Sequence, residues 1–230
     1  MTSKLTRTLF CLALVAITST TLLAADSGDR SSTMLFRGNP PWVMGHGSNP
    51  IVPARTEPES GKKLKTIFTN LGSSTDAYYS GSGWLILGSA SAYGESEEVG
   101  MSFTPKNNAS VTEIEVAFQY DSSGTNAGVV ALWSDSSGLP GSAIKSWDVS
   151  SLATFPSCCT LVTVKTKKPI KLKKGTQYWV VEATDSKSSN SEDVWNYTYN
   201  EVTGNFAYNL NGDGWTSYNS YLSAFAVLGK

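Results

Sequence analysis

Val111-Thr-Glu-Ile-Glu-Val-Ala-Phe-Gln-Tyr120 alternates apolar and polar side chains with a period of two. Ile114, Val116, Phe118 and Tyr120 fall on one face, and Glu113, Glu115 and Gln119 on the other. Successive side chains of an extended chain point to opposite faces. The segment therefore reads as a half-buried strand of an antiparallel sheet. Working outward, similar runs lie at 64–71, 84–89, 99–104, 127–134, 143–149, 160–165, 177–183, 194–199, 205–208 and 221–228. Turn chemistry separates them: Asp121-Ser-Ser-Gly124, Ser137-Gly-Leu-Pro-Gly141, Lys174-Gly175 and Asn211-Gly-Asp-Gly214. No stretch of a dozen residues carries a helical period. The fold class that follows is all-β, an antiparallel, jelly-roll-like β-sandwich.

The chain ahead of this pattern is different. Residues 1–25 read as a secretory signal peptide, with Lys4 and Arg7 before an apolar run from Leu9 to Ile17. That run is too short to span a bilayer. Residues 26–63 are rich in Gly, Pro and Ser and read as a flexible tail, with two apolar islands at Met34-Leu-Phe36 and Trp42-Val-Met44. The sandwich domain is expected over 64–230. The late apolar stretch, Ala224 to Leu228, is again too short for a span. The expected location is secreted, extracellular or periplasmic. Losing Lys4 and Arg7 with the leader takes the formal charge from −1 to −3, too mild a field to suggest nucleic acid as a partner.

Of three cysteines, Cys11 lies in the leader, and Cys158 and Cys159 are neighbours. An exported pair meets an oxidising compartment. Across a trans peptide the Cα atoms would lie about 3.8 Å apart, below the usual span of a bridged pair. Closing so short a loop does little to the unfolded chain. The expectation is a vicinal disulfide forming a rigid turn before Thr160, a turn that borders the binding surface.

The residues limit the chemistry. His46, the single histidine, lies in the tail, so a histidine-based triad, general base or zinc site would rest on it alone. No cofactor or metal site is expected. Glu113 and Glu115 share a strand face and read as solvated, as do Glu95, Glu97 and Glu98 in a loop rich in Gly and Ser. Asn209-Leu-Asn-Gly-Asp213 spaces oxygen groups as a calcium loop begins. The twelfth position is Ser220 instead of Glu, which favours a hairpin turn. Lys165, Lys167, Lys168, Lys171, Lys173 and Lys174 alternate with apolar residues, as on a guarded sheet edge; attraction to an acidic polysaccharide or anionic surface is the other reading. Trp133 and Trp179 sit in apolar runs and read as core. Tyr78, Tyr79, Trp84, Trp215 and Tyr218 lie in or beside loops and are the candidate ligand-binding rings, since exposed rings form stacking platforms for sugars.

One order of segments also carries a resemblance. Val99-Gly-Met-Ser-Phe-Thr-Pro105, Val111–Tyr120, the Ser137-Gly-Leu-Pro-Gly141 turn, Tyr178-Trp-Val-Val181, Gly214-Trp215 and Ala224-Phe-Ala226 follow one another. Over about residues 64–229 this resembles the exported bacterial β-sandwich domains of the choice-of-anchor R type. It is most similar to secreted soil-bacterial proteins that share Thr154-Phe-x-x-Cys-Cys-Thr-Leu161. The resemblance implies the fold and export, and offers no catalytic residues. Together these readings indicate a secreted, non-catalytic β-sandwich for extracellular binding or surface association. Polysaccharide or a cell-envelope component is the expected partner. A glycan hydrolase or lyase using Glu or Asp, and a structural matrix or envelope protein, are the alternatives.

Overall fold

The segment around Val111 is two strands. It leaves one sheet and enters the other at Ala117. The computed structural model describes residues 34–36, 64–72, 77–199 and 202–230. All fall in one compact unit, Ser31–Lys230. Among them are strands and connections and no helix. The strands are β1 (Met34–Phe36), β2 (Lys65–Thr69), β3 (Ser82–Leu87), β4 (Glu97–Phe103), β5 (Ala109–Val116), β6 (Phe118–Ser123), β7 (Ala127–Ser136), β8 (Leu139–Ser150), β9 (Val162–Leu172), β10 (Tyr178–Ala183), β11 (Glu192–Asn196), β12 (Thr203–Leu210), β13 (Trp215–Tyr221) and β14 (Phe225–Gly229).

The smaller sheet runs β2-β14-β5-β9, all antiparallel. The larger runs β6-β11-β3-β4-β10-β7-β8, with β12 and β13 added along the other side of β4. The Met34–Phe36 island of the expected tail is a strand parallel to β3, Leu35 opposite Gly83. The proposed leader, the second apolar island and His46 lie outside the described residues. No helix among the described residues is long and apolar enough to cross a membrane.

The alternation of the opening segment survives the change of sheet. Ile114 and Val116 on β5 and Phe118 on β6 are all fully buried between the sheets. At the corner Ala117 donates its N–H to Ala224 and accepts from Asn196, so the backbone is satisfied while it crosses. The closing segment does the same: the run expected at 221–228 is the end of β13 in one sheet and β14 in the other. Val99, Met101 and Phe103 of β4, Val130 and Leu132 of β7, and Phe225 and Val227 of β14 complete this core. The expected turns hold their chemistry: Ser137-Gly138 and Asn211-Gly212 both have two consecutive positive φ values, the backbone of a tight hairpin.

One glycine is demanded by both conformation and space. Gly124 has φ +74, and a Cβ there would run into the carbonyl oxygen of Asn190. Gly124→Ala should therefore cost about 2 kcal/mol or more, read as a fall of several degrees in the thermal midpoint. Gly94 has a similar φ with open space around it, so Gly94→Ala should cost only about 1 kcal/mol. Equal losses at the two sites would show that the clash with Asn190 plays no part.

Candidate binding face

The strands β13-β12-β4-β10-β7-β8 form a run whose two end strands come back into contact without pairing. The curl gives the larger sheet a second, concave interior on the face away from the smaller sheet. Side chains at alternate positions line it: Ala131 of β7, Trp179, Val181 and Ala183 of β10, and Ala207 of β12, with Val129, Trp133 and Trp215 half-buried against them. Gly100 of β4 is small where Pro140 and Trp179 meet over it.

Trp215 and Trp133 meet edge to face, ring centroids 5.8 Å apart, a favoured geometry for aromatic pairs. The indole N–H of Trp133 has no acceptor among the described residues. Beside the rings lies a row of polar side chains. Asp135 Oδ1 accepts from Trp179 Nε1 at 2.8 Å and from Gln177 Nε2 at 2.7 Å, and Asp135 Oδ2 accepts from Gly138 N at 3.0 Å. Burial works to raise the Asp135 pKa, but the N–H groups of Gly138, Trp179 and Gln177 together outweigh it and hold the carboxyl below its ordinary range. Gln177 Oε1 accepts from Asn205 Nδ2 at 3.3 Å across β4, and Asn209 Nδ2 donates to Glu98 Oε2 at 3.0 Å. Burial raises the Glu98 pKa, and the Asn209 bond partly offsets that.

The five candidate rings are scattered, and two are not at the surface. Trp84 stacks on Phe206 at 4.0 Å inside the main core. Tyr78 is 2% exposed, and its hydroxyl lies between Gln119 Nε2, at 3.3 Å, and the carbonyl of Thr160, at 3.4 Å. Neighbouring Gly, Ser and Asp marked them as loop residues, yet the start of β3 and the chain before it pack into the interior. Tyr79 is half-buried. Tyr218 is 44% exposed and stacks on Tyr208. Trp215 and Tyr218 lie on β13, expected as loop, and point to opposite faces of it. Trp133, read as core, is the half-buried partner of Trp215; only the curl of the sheet brings the two together.

The cysteines lie elsewhere. Cys158 and Cys159 bring their sulfurs into close contact across a cis peptide, with Cα atoms 3.2 Å apart, where the expectation assumed trans. Cys159 packs with Leu161 against Tyr78, Ala117 and Ala224, and Gln119 Nε2 donates to the carbonyl of Ser157. The turn is thus part of the Tyr78 cluster and not of the tryptophan face. In the Asn209–Asp213 segment, read as a hairpin turn in preference to a calcium loop, Asn209 Oδ1 accepts from Gly214 N within the turn and Asn211 Oδ1 from Ser96 N just ahead of β4. Among the described residues no three His, Cys, Asp or Glu side chains are placed to hold a metal ion.

A second feature was hidden in the sequence. Glu97, Glu182 and Asp193 are fully buried and face the main core, because each lies two residues from a core residue on its strand: Val99, Val180 and Trp195 respectively. They sit where the larger sheet forks: Glu182 is opposite Val99 on β4, and Glu97 is opposite Leu87 on β3. Neither oxygen of Glu182 or of Asp193 has a hydrogen-bond partner. Burial, then the Asp193 carboxylate, pushes Glu182 well above its ordinary pKa. Burial, then Asp121 and Glu192, pushes Asp193 up to about 8.

The fold and the curled face define an antiparallel β-sandwich with an aromatic, polar-rimmed second interior. Comparison with protein-family models, curated proteins and solved structures found no match.

Proposed function

We propose that the protein is a secreted, non-catalytic binding protein whose curled face takes polysaccharide. The observation that carries this reading is the half-buried Trp133–Trp215 pair beside Asp135, Gln177, Asn205 and Asn209. Sugars offer apolar ring faces and hydroxyl edges. Flat rings flanked by amide and carboxylate groups complement both. Asp135 supports binding over hydrolysis, since both its oxygens already serve three donors of the fold. A carboxylate so engaged is poorly placed to act as a nucleophile or base.

The test is binding to a panel of soluble and insoluble neutral glycans. Trp215→Ala should weaken binding at least tenfold, about 1.4 kcal/mol, with a thermal midpoint close to that of the parent. Trp84→Ala is unsuitable, because that ring is part of the core. Absence of binding to every glycan tried, or full binding by Trp215→Ala, would reject the face as the site.

A further inference from the structure

Strand β9 closes one side of the smaller sheet, paired with β5 alone. Lysines are a usual guard for such an edge, because a charged row discourages another strand from pairing. Here the guard is over-determined. Between Lys165, opposite Glu113, and Ile170, opposite Val111, β9 holds four residues against one on β5. That bulge already breaks the ladder, and Pro169 within it offers no N–H. From the other sheet, Trp147 Nε1 donates to the carbonyl of Lys165 at 2.8 Å and covers the edge there. Lys173 and Lys174 lie past the end of the strand and cannot guard it.

The lysines nonetheless continue. Residues 162–175 contain six and no acid, in a chain of net charge −1. All six are exposed. At one end, Lys174 N donates to Asn108 Oδ1 and Gly175 N to the carbonyl of Pro105, which ties the loop bearing exposed Lys106 to this turn. At the other, Lys145 Nζ lies 5.9 Å from the Trp147 ring centre. Glu113 of β5 is ion-paired with the strip, to Lys165 at 3.3 Å. With four residues looped against one, β9 covers the eight residues of β5, which makes the strip roughly 27 Å long.

We propose that this strip is a docking surface for a linear polyanionic polysaccharide whose carboxylates are spaced along the chain. The strip is narrow and follows a single edge strand through its bulge, which suits an extended polymer. Its charge is entirely lysine: every arginine of the protein precedes residue 64. Lysines are mobile point charges suited to single carboxylates. They lack the fork that grips phosphate in two places, so the strip favours a polyuronate over a nucleic acid. This surface is separate from the curled face, and either can fail without the other.

Titration of the full chain with polygalacturonate, with a neutral glucan and single-stranded DNA as comparisons, tests it. Polygalacturonate should bind and weaken steeply between about 20 and 200 mM salt. Lys167→Glu, Lys168→Glu and Lys171→Glu together should lower its affinity at least tenfold with an unchanged thermal midpoint. If that triple variant does not fold, Lys173→Gln with Lys174→Gln, outside the strand, should weaken binding severalfold. Lys65→Glu, on the opposite edge strand β2, should leave binding intact, and so should Trp215→Ala. Absence of binding, binding indifferent to salt, full binding by the lysine variants, or DNA bound as tightly as polygalacturonate would each overturn the proposal.

Discussion

Asp193→Asn should make the protein more stable than the parent at pH 8, by several kcal/mol, Glu182→Gln should act in the same direction, and both should change it little at pH 4. The cause is the buried cluster at the fork of the larger sheet. Glu182 and Asp193 face the core with no hydrogen-bond partner for any of their four oxygens. The charged groups nearest them are themselves acidic. Asp121 and Glu192 raise Asp193, and Asp193 raises Glu182, after the larger effect of burial. Glu97 faces the same interior from β4, while β3 and β7 present apolar Ile86 and Val130. An isolated carboxylate in such a place stays protonated.

The sign follows from proton counting. In the unfolded chain an Asp loses its proton near pH 4; in the folded protein Asp193 keeps it up to about pH 8. Between those values the native state binds more protons, so stability falls as pH rises and levels off above. The loss across the window is on the order of 3–5 kcal/mol for Asp193. An amide of the same shape has no proton to lose, and so flattens the profile. Urea unfolding at pH 4, 6 and 8 measures this. A parent profile that is level or rises from pH 5 to 8, with the variants parallel to it, would rule the mechanism out.

Trp179→Ala should lose about 3–5 kcal/mol, the usual loss for a large aromatic side chain removed from a core. Trp179 is fully buried, yet lies outside the core between the two sheets. It fills the curled interior, with Trp133 and Trp215 against the same cluster. Its indole N–H is one of three donors that hold Asp135. Trp179→Phe separates the two contributions: it keeps most of the volume and should cost about 1–2 kcal/mol for the lost donor. Both variants should also weaken glycan binding if the curl shapes the site. A loss under about 1 kcal/mol for Trp179→Ala, by urea unfolding, would mean that the curled interior contributes little to the fold.

Much of this fold was legible because a strand writes its burial into a two-residue period. Ile114, Val116 and Phe118 announce an inward face, and they are inward. Periodicity does not say which sheet a strand joins, so 111–120 reads as one strand although it serves two. Trp215 and Tyr218 read as loop because Asn-Gly and Asp-Gly precede them and the polar residues between them mask the period. They form β13, held in place by pairing with β12.

The site was less legible for a related reason. Trp133 and Trp215 are 82 positions apart, and their meeting depends on the curl that brings β8 against β13. Tyr78 and Trp84 looked exposed because their neighbours are small and polar, while burial was decided by Gln119, Thr160 and Phe206, distant in the chain. The acids show the same division. The local sequence makes Glu97, Glu182 and Asp193 look like ordinary strand and loop charges; the fork of the sheet turns them inward together. By itself the sequence determined what acts between near neighbours: strand period, turn residues, the lysine run and the adjacent cysteines. Tertiary structure alone decided which faces close over which, because burial and charge proximity depend on distances in space that strand period does not encode.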